Sequence, residues 1–424
     1  MLSKEDNERL TQVGLGTPMG NVFRCYWLPA LLSSELPEPD GAPVRIQLLG
    51  EPLVVFRDTT GAVGLVDAFC PHRRAPLFLG RNENFGLRCV YHGWKFARSG
   101  ECLEMPTEPK DSPYRTKIRI KAYPVWEGGG MVWAYLGPSA ETPPLPDLEF
   151  LRAPATHRFV SKTVQDCNYL QALEGGLDSA HATILHNVTI GDLSWLDHFE
   201  AVTPRLDVEL KDYGFQYSGI RSRDGRHWVR AYQYIMPATQ LRGRIAPVRG
   251  EKAPPAIPLI SGHFWIPNDD VTTSVFNFSY SADPGIPLTP EFALAAEADY
   301  GRGPGDLKPD FRLKKNNAND FLIDREVQKK QSFTGISGIN TQDVAVQEGM
   351  GAIVDRSQEH LGSTDRAIVM MRRLLLEATR AVESGGKPRG VNPASYRDLR
   401  AVDHFAQSEA DIPQLIQREL AARY

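Results

Sequence analysis

Cysteine is scarce in this chain, five residues in 424, and an odd number cannot be wholly consumed by internal disulfides. A disulfide-stapled secreted fold is therefore not expected, and reduced thiols are. Long apolar runs are also missing. No stretch approaches the roughly 20 apolar residues of a membrane-spanning helix, and the opening Met1-Leu2-Ser3-Lys4-Glu5-Asp6 is charged where a secretion signal would be apolar. These absences lead us to expect a cytoplasmic location and no membrane partner. Basic tracts are absent too: 48 Lys and Arg are interspersed with 52 Asp and Glu to a net charge of -4, so nucleic acid is not an expected partner. No Gly-x-Gly-x-x-Gly fingerprint occurs, and Gly335-Ile336-Ser337-Gly338 lacks the lysine of a phosphate loop, which leaves it a turn. There is no internal repeat or low-complexity segment. The length allows two domains with sizeable cores.

What the chain does have is Cys70-Pro71-His72-Arg73-Arg74, answered by Cys89-Val90-Tyr91-His92-Gly93-Trp94, with sixteen residues between His72 and Cys89. Two thiolates and two imidazoles at Cys-x-His and Cys-x2-His spacing suit either zinc or a [2Fe-2S] cluster. Zinc modules usually pair Cys with Cys and His with His, whereas each loop here gives one of each. That arrangement suits a Rieske centre, in which two cysteines hold one iron and two histidines the other. Pro71 and Gly93 allow both loops to bend tightly. The remaining thiols, Cys25, Cys102 and Cys167, read as partly buried packing residues.

These two loops resemble those of the Rieske non-haem iron oxygenases, and the similarity extends over most of the chain, with the phthalate dioxygenase-like enzymes as the group most resembled. Around the loops, Val44–Leu49, Leu53–Phe56 and Val63–Ala68 are short apolar or alternating runs separated by Gly, Pro and Asp, as in a small antiparallel β domain. Residues 1 to about 25 read as a polar lead with a turn-like segment from Gly14 to Gly20. A strand pair is expected from Tyr123 to Tyr135, turning at Gly128-Gly129-Gly130. The stiff proline-rich stretch Pro138–Pro146 follows, and it sets a boundary between domains 1–145 and 146–424.

A second constellation lies in residues 168–186. Leu170, Leu173, Leu177, Ala180 and Ile184 recur at three- and four-residue steps, which predicts an amphipathic helix despite Gly175 and Gly176, with Glu174, Asp178 and His181 as a neighbouring polar stripe. Charged groups beside an apolar stripe must be paired or bind a metal. His186 follows His181 by five residues, about 140° round a regular helix, so both reach one ion only if the helix ends or bulges between them. Two histidines with one carboxylate form the facial triad of non-haem iron(II) sites. From the residues alone Asp343, Glu348 and Asp355 are comparable carboxylates; the resemblance favours Asp343. Between these positions, His227–Tyr234 and Val271–Tyr280 alternate as strands, with Phe276, Phe278 and Tyr280 on one face. Arg230 shares a face with Trp228, Tyr232 and Tyr234 and is our candidate clamp for an aromatic carboxylate, with Arg242 and Arg244 as weaker ones. Ser363-Thr364-Asp365 caps a last helix with Ala367, Met371, Leu374, Leu375 and Ala378 on its apolar face.

The resemblance implies an α+β protein: an N-terminal all-β Rieske domain followed by a catalytic domain whose antiparallel sheet is flanked by helices in a helix-grip-like arrangement. It implies one [2Fe-2S] cluster at Cys70, His72, Cys89 and His92, and one Fe(II) at His181, His186 and Asp343. Asp178 would bridge a cluster histidine and His181 across the interface of a homotrimer, without a separate small subunit. NADH would act only through a separate flavin and iron-sulfur reductase. The expected reaction uses O2 on an aromatic substrate, by cis-dihydroxylation of a phthalate- or benzoate-type acid. The alternatives are monooxygenation by O-demethylation or ether cleavage, or a plain Rieske electron carrier. Where naphthalene-type members carry an asparagine near the iron, this chain carries Glu174, whose role the sequence leaves open.

Overall fold

The computed structural model describes residues 2–424 apart from 111, 188–202, 246–256 and 392–395, with the backbone alone described at 244 and 245. Elements are numbered in chain order. The N-terminal part holds three small antiparallel sheets. In the first, β1 (Trp27–Leu32) pairs with β11 (Met131–Tyr135), which pairs with β10 (Val125–Gly128). The second runs β2 (Val44–Leu48), β3 (Glu51–Arg57), β4 (Val63–Asp67), β9 (Ala122–Tyr123). The third runs β5 (Arg81–Glu83), β6 (Gly86–Arg88), β7 (Lys95–Phe96), β8 (Cys102–Glu104). The expected β domain is thus present. Its own small core collects Val54, Phe56, Val66, Leu87, Trp94 and Phe96 beside Cys70 and Cys89.

The expected polar lead is instead helical. Ser3 caps α1 (Lys4–Thr11) by accepting the Asp6 N–H, and Thr17 caps α2 (Pro18–Phe23). Both pack against α10 (Arg366–Glu383) near the other end of the chain, joined by the Arg9–Glu383 ion pair and by Arg9 Nε donating to Thr379 Oγ1 at 2.9 Å. Two short helices, α3 (Tyr114–Lys117) and α4 (Glu149–Arg152), precede the large sheet. That sheet is antiparallel, ordered β12 (Arg158–Gln165), β18 (Thr273–Ser281), β17 (Pro258–Pro267), β16 (Thr239–Ile245), β15 (Arg226–Ile235), β14 (Gly214–Arg223), β13 (Arg205–Lys211), with β19 (Val402–Ala406) also paired to β15. Against it lie α5 (Tyr169–Leu177), α7 (Pro290–Asp299), α10 and α11 (Ile412–Glu419), while α9 (Ile339–Gly349) packs on α5, and α6 (Ala182–Leu185) and α8 (Arg325–Lys330) are short helices between these elements.

One continuous core runs from β1 and β11 into the large sheet: Trp133 meets Phe264 edge-on at 5.2 Å, and Phe278 lies 4.9 Å from Phe264. Phe276, Phe278 and Tyr280 do share a face, but it is this core face, while the alternating Val275 turns to the opposite side and lines a cavity. The last helix forms as its pattern predicts, with Ala367, Met371, Leu374, Leu375 and Ala378 all buried. Among the described residues no helix is long and apolar enough to cross a membrane.

Candidate metal centres and active-site cavity

The two cysteine–histidine loops fold to the same backbone pattern. In one, Arg74 N–H donates to the Cys70 carbonyl at 2.9 Å and Cys70 N–H to the Ala75 carbonyl at 2.9 Å; in the other, Gly93 N–H donates to the Cys89 carbonyl at 2.9 Å and Cys89 N–H to the Trp94 carbonyl at 2.8 Å. Gly93 sits at φ +75°, where a Cβ would also lie 2.6 Å from Pro106, so both the turn and the close approach require glycine. The loops set the cysteines inward, 1% and 2% exposed, and bring the His72 and His92 rings to 4.4 Å, with Trp94 stacked on His72 at 4.3 Å. His92 Nδ1 is buried with no hydrogen-bond partner, as expected of an atom reserved for a ligand. Burial pushes the Cys70 thiol up to about 11, so a thiolate there needs a cation to hold it.

A single tetrahedral zinc, with bonds of about 2.0–2.3 Å, would draw its four donors to within about 4 Å of one another. Among the described residues the group of three or more donors within 4.8 Å is His181, His186 and Asp343, and the cysteine–histidine quartet forms no such group. A donor set split into a sulfur pair and a nitrogen pair fits two bridged irons better than one ion.

The second site depends on a helix that stops. Asn168 caps α5, accepting the Leu170 N–H, and α5 ends at Leu177 with Asp178 extended at φ -71°, ψ 115°. The single continuous helix expected over 168–186 is therefore broken: His181 opens the short α6 and His186 closes it. This break removes the 140° offset and lets both rings converge. His181 Nε2 lies 3.3 Å and His186 Nε2 3.2 Å from Asp343 Oδ1, on the facing helix α9. The far ring nitrogens are held. Gln342 Nε2 donates to the Ile336 carbonyl at 2.7 Å, which fixes its amide, so Gln342 Oε1 accepts from His186 Nδ1 at 2.7 Å and leaves Nε2 free for a metal. His181 Nδ1 lies 3.5 Å from Asp178 Oδ2, while Asp178 Oδ1 accepts the Ala180 and His181 N–H groups at 2.7 and 3.3 Å.

The electrostatics are those of a cation site. Burial opposes it, but Asp178 and Asp343 together raise the His181 imidazole to about 10. Burial would raise Asp343, yet the facing His181 and His186 rings hold it well below the usual carboxylate range. The histidine pair with one carboxylate fits Fe(II) with open positions. Glu348 and Asp355 do not join the site: Glu348 accepts the Asp166 N–H at 2.9 Å, and Asp355 caps the turn at Ser357. Glu174 does not join it either. It is buried against Arg356 (2.8 Å) and Arg372 (2.7 Å), which answers the open question of its role with an internal ion network and separates it from the polar stripe.

The triad opens on a cavity of about 240 Å³ that is also lined by Arg230, Tyr232, Arg242, His263 and Trp265. The two glycines of α5 belong to its wall, since a Cβ on Gly176 would meet the Trp265 ring at 2.3 Å and one on Gly175 the Gln347 amide at 2.3 Å. Arg230 reaches the cavity among its aromatic neighbours, 5.4 Å from the Trp228 and 5.2 Å from the Tyr232 ring centroid. Its charge is already answered, however, by Asp403, its cross-strand partner on β19, whose Oδ2 lies 3.1 Å from Nε. That contact is an ion pair without hydrogen-bond alignment, because Nε–H does not point at the carboxylate. Arg242 lines the same cavity; the side chain of Arg244 lies outside the described residues.

Similarity to known proteins agrees with both centres. Residues 26–124 match the Rieske [2Fe-2S] domain family, and residues 134–411 match the family described as LigXa C-terminal domain like. The chain belongs to the Rieske non-haem iron oxygenases. It is 39% identical to the phthalate 4,5-dioxygenase oxygenase subunit of Pseudomonas putida, covering 91% of this chain and 88% of the relative. It is 37% identical to the 3-chlorobenzoate-3,4-dioxygenase oxygenase subunit of Comamonas testosteroni, covering 93% of each. The fold matches the solved structure of the Pseudomonas putida CBB5 NdmA QL mutant with theobromine at TM-score 0.61 and 18% identity, covering 91% of this chain and 98% of that one. As a Rieske oxygenase this chain carries a [2Fe-2S] cluster and Fe(II), and it is an oxidoreductase of the aromatic ring-hydroxylating type.

Proposed function

We propose that this oxygenase component uses electrons from a separate reductase and O2 to hydroxylate an aromatic carboxylate of the phthalate or benzoate type, by cis-dihydroxylation. The observation that carries the reading is the cavity itself: the His181–His186–Asp343 triad, aromatic walls and guanidinium groups share one enclosure. When bound, the cluster supplies single electrons and the iron supplies oxygen activation. In our assignment residues 1–145 form the electron-transfer domain, with Cys70, His72, Cys89 and His92 holding the cluster, and residues 146–424 form the catalytic domain. His181, His186 and Asp343 hold the iron, Gln342 and Asp178 fix the two imidazoles, and Trp265 and Tyr232 enclose the substrate ring.

Asp178 retains a carboxylate whose side chain is 24% exposed after its bonds to the Ala180 and His181 backbone. The tips of the cluster loops are open as well, with Val90 56% and Tyr91 54% exposed. Both features suit a homotrimer in which Asp178 meets His92 of the partner subunit, so that one carboxylate orients an imidazole of each centre. The relatives' names support the reductase partner, since both are oxygenase subunits.

The test is turnover of the iron-loaded protein with a reductase, NADH and labelled dioxygen on benzoates, phthalates and phenoxybenzoates. Two labelled atoms in the product support dihydroxylation, and one makes the enzyme a monooxygenase. Zinc without acid-labile sulfide in anaerobically purified protein would overturn the assignment of both centres.

A further inference from the structure

The cationic side chains facing the cavity differ in one respect. Arg302 is 5% exposed and fully engaged: Nε and Nη2 donate to the Glu297 carboxylate at 2.8 Å each, and Nη1 donates to Asn277 Oδ1 at 2.9 Å. Arg230 has its carboxylate in Asp403. Arg242, half-buried on β16, has neither a carboxylate nor a hydrogen-bond partner, and it is the one such arginine among the described side chains lining the cavity. Isolating a charge in this way is costly unless something arrives to answer it. Burial first, then the facing Arg302 and Arg230, outweighs the opposing pull of Asp343 and Tyr232 and weakens its hold on the proton, to about 10, which still leaves it charged at neutral pH.

The neighbouring histidine defines the rest of the surface. An arginine can only donate, so the Arg302 contact fixes Asn277 with its oxygen toward Arg302, and the Asn277 amide nitrogen donates to Ser161 Oγ at 3.3 Å. His263 Nδ1, 2.8 Å from that same oxygen, must therefore be the protonated nitrogen. Burial, with Arg242 and Arg302 beside it, keeps the ring neutral. His263 lines the cavity, and its Nε2 presents a lone pair there. The enclosure thus offers one open cation and, next to it, an acceptor.

Resting on the aromatic-acid reading above, we propose that Arg242 anchors the substrate through a single carboxylate and that the cavity selects an aromatic monocarboxylate over a vicinal dicarboxylate. One guanidinium takes one carboxylate bidentately. A second carboxylate would meet the His263 lone pair and two arginines already neutralised by Glu297 and Asp403, and it would be desolvated without a donor. Arg230 then acts as a cross-strand brace, and the residue that contacts the substrate lies on the adjacent strand.

Calorimetric titration of the iron-loaded, cluster-containing protein with benzoate, phthalate and uncharged benzamide tests this. Benzoate is expected to bind at least about ten-fold tighter than either. Arg242→Met should weaken benzoate about 10- to 100-fold while leaving benzamide within about three-fold, and Arg242→Lys should recover part of the loss. Retained cluster absorbance shows that the variants fold, and the comparison of benzoate with phthalate on the unaltered chain needs no variant. Phthalate binding as tightly as benzoate overturns the single-carboxylate selection. Benzoate binding unchanged in Arg242→Met overturns the anchor but leaves the aromatic-acid reading intact. Binding of benzamide but of neither acid overturns that reading and the proposal together, as does an absence of binding by all three.

Discussion

Glu174 lies one helical turn before Asp178 and yet serves stability rather than chemistry, and its removal tests that division. Its carboxylate accepts from Arg356 Nε at 3.0 Å to each oxygen, from Arg356 Nη2 at 2.8 Å and from Arg372 Nε at 2.7 Å. Arg356 is 0% exposed; without Glu174 its remaining side-chain partner is Asn7 Oδ1 at 3.0 Å. Arg372 keeps Glu359, at 2.6 and 2.9 Å. The cost of Glu174→Ala therefore falls mainly on one fully buried guanidinium left without a counter-charge, about 3–5 kcal/mol. At about 2–4 °C per kcal/mol for medium-sized domains, the apparent Tm should drop roughly 6–20 °C, toward the low end for so long a chain. The assay is a thermal scan at one fixed rate, since a two-domain metalloprotein need not unfold reversibly. Iron content measured well below the transition should be unchanged, and the isosteric Glu174→Gln should lose less. A Tm shift under about 2 °C, or iron lost at an unchanged Tm, would refute the reasoning and return Glu174 to the metal site.

Four further outcomes are expected. Gln342→Ala frees His186 Nδ1 and should weaken iron(II) binding about 10- to 100-fold in an anaerobic titration, with cluster absorbance intact; Asp343→Ala should abolish iron binding with the same cluster signal. Gly176→Ala would normally stabilise a helix by about 0.5–1 kcal/mol, but its Cβ would lie 2.3 Å from Trp265, so a net loss of about 1–3 kcal/mol and weaker substrate binding are expected. A rise in Tm would contradict that packing. Burial opposes the ionisation of Glu51, but its bonds to Lys121, Tyr123 and Arg24 prevail and lower it below its ordinary 4.5. A lowered carboxyl contributes stability that is present above its unfolded value and lost as pH falls through its folded one. Glu51→Gln should thus lower Tm at pH 7 and flatten the decline below about pH 4.5, and an unchanged acid limb would count against the network.

The candidate metal ligands were legible in the sequence because their chemistry is local: Cys and His at short spacing in two loops, and two histidines five residues apart that require a break between them. The break was visible as a condition, and the structure meets it at Asp178. Asp343 could not be chosen over Glu348 and Asp355 from the residues themselves, because the choice depends on α9 facing α6 across 150 residues of chain. The N-terminal helices were missed for the same reason. Ser3 with Asp6 was a capping signal, but two helices of eight and six residues owe their stability to α10, which periodicity within a short window does not reveal. The two glycines looked like weaknesses in a helix and are explained by Trp265 and Gln347, residues from a strand and a helix far along the chain.

Arg230 and Arg242 show what strand alternation alone leaves undecided. Both sit on neighbouring strands with aromatic company, and both project to the cavity, so face and composition rank Arg230 first. What separates them is β19, a strand from the end of the chain that pairs with β15 and sets Asp403 directly across from Arg230. A cross-strand carboxylate converts that arginine into part of the scaffold. The same rule holds at Arg302 with Glu297, Arg400 with Glu149, and Arg356 and Arg372 with Glu174, where each buried guanidinium meets an internal carboxylate. Against that pairing, an arginine left open beside the candidate iron triad is the departure that an external anion would account for, and among the described arginines lining the cavity it is Arg242.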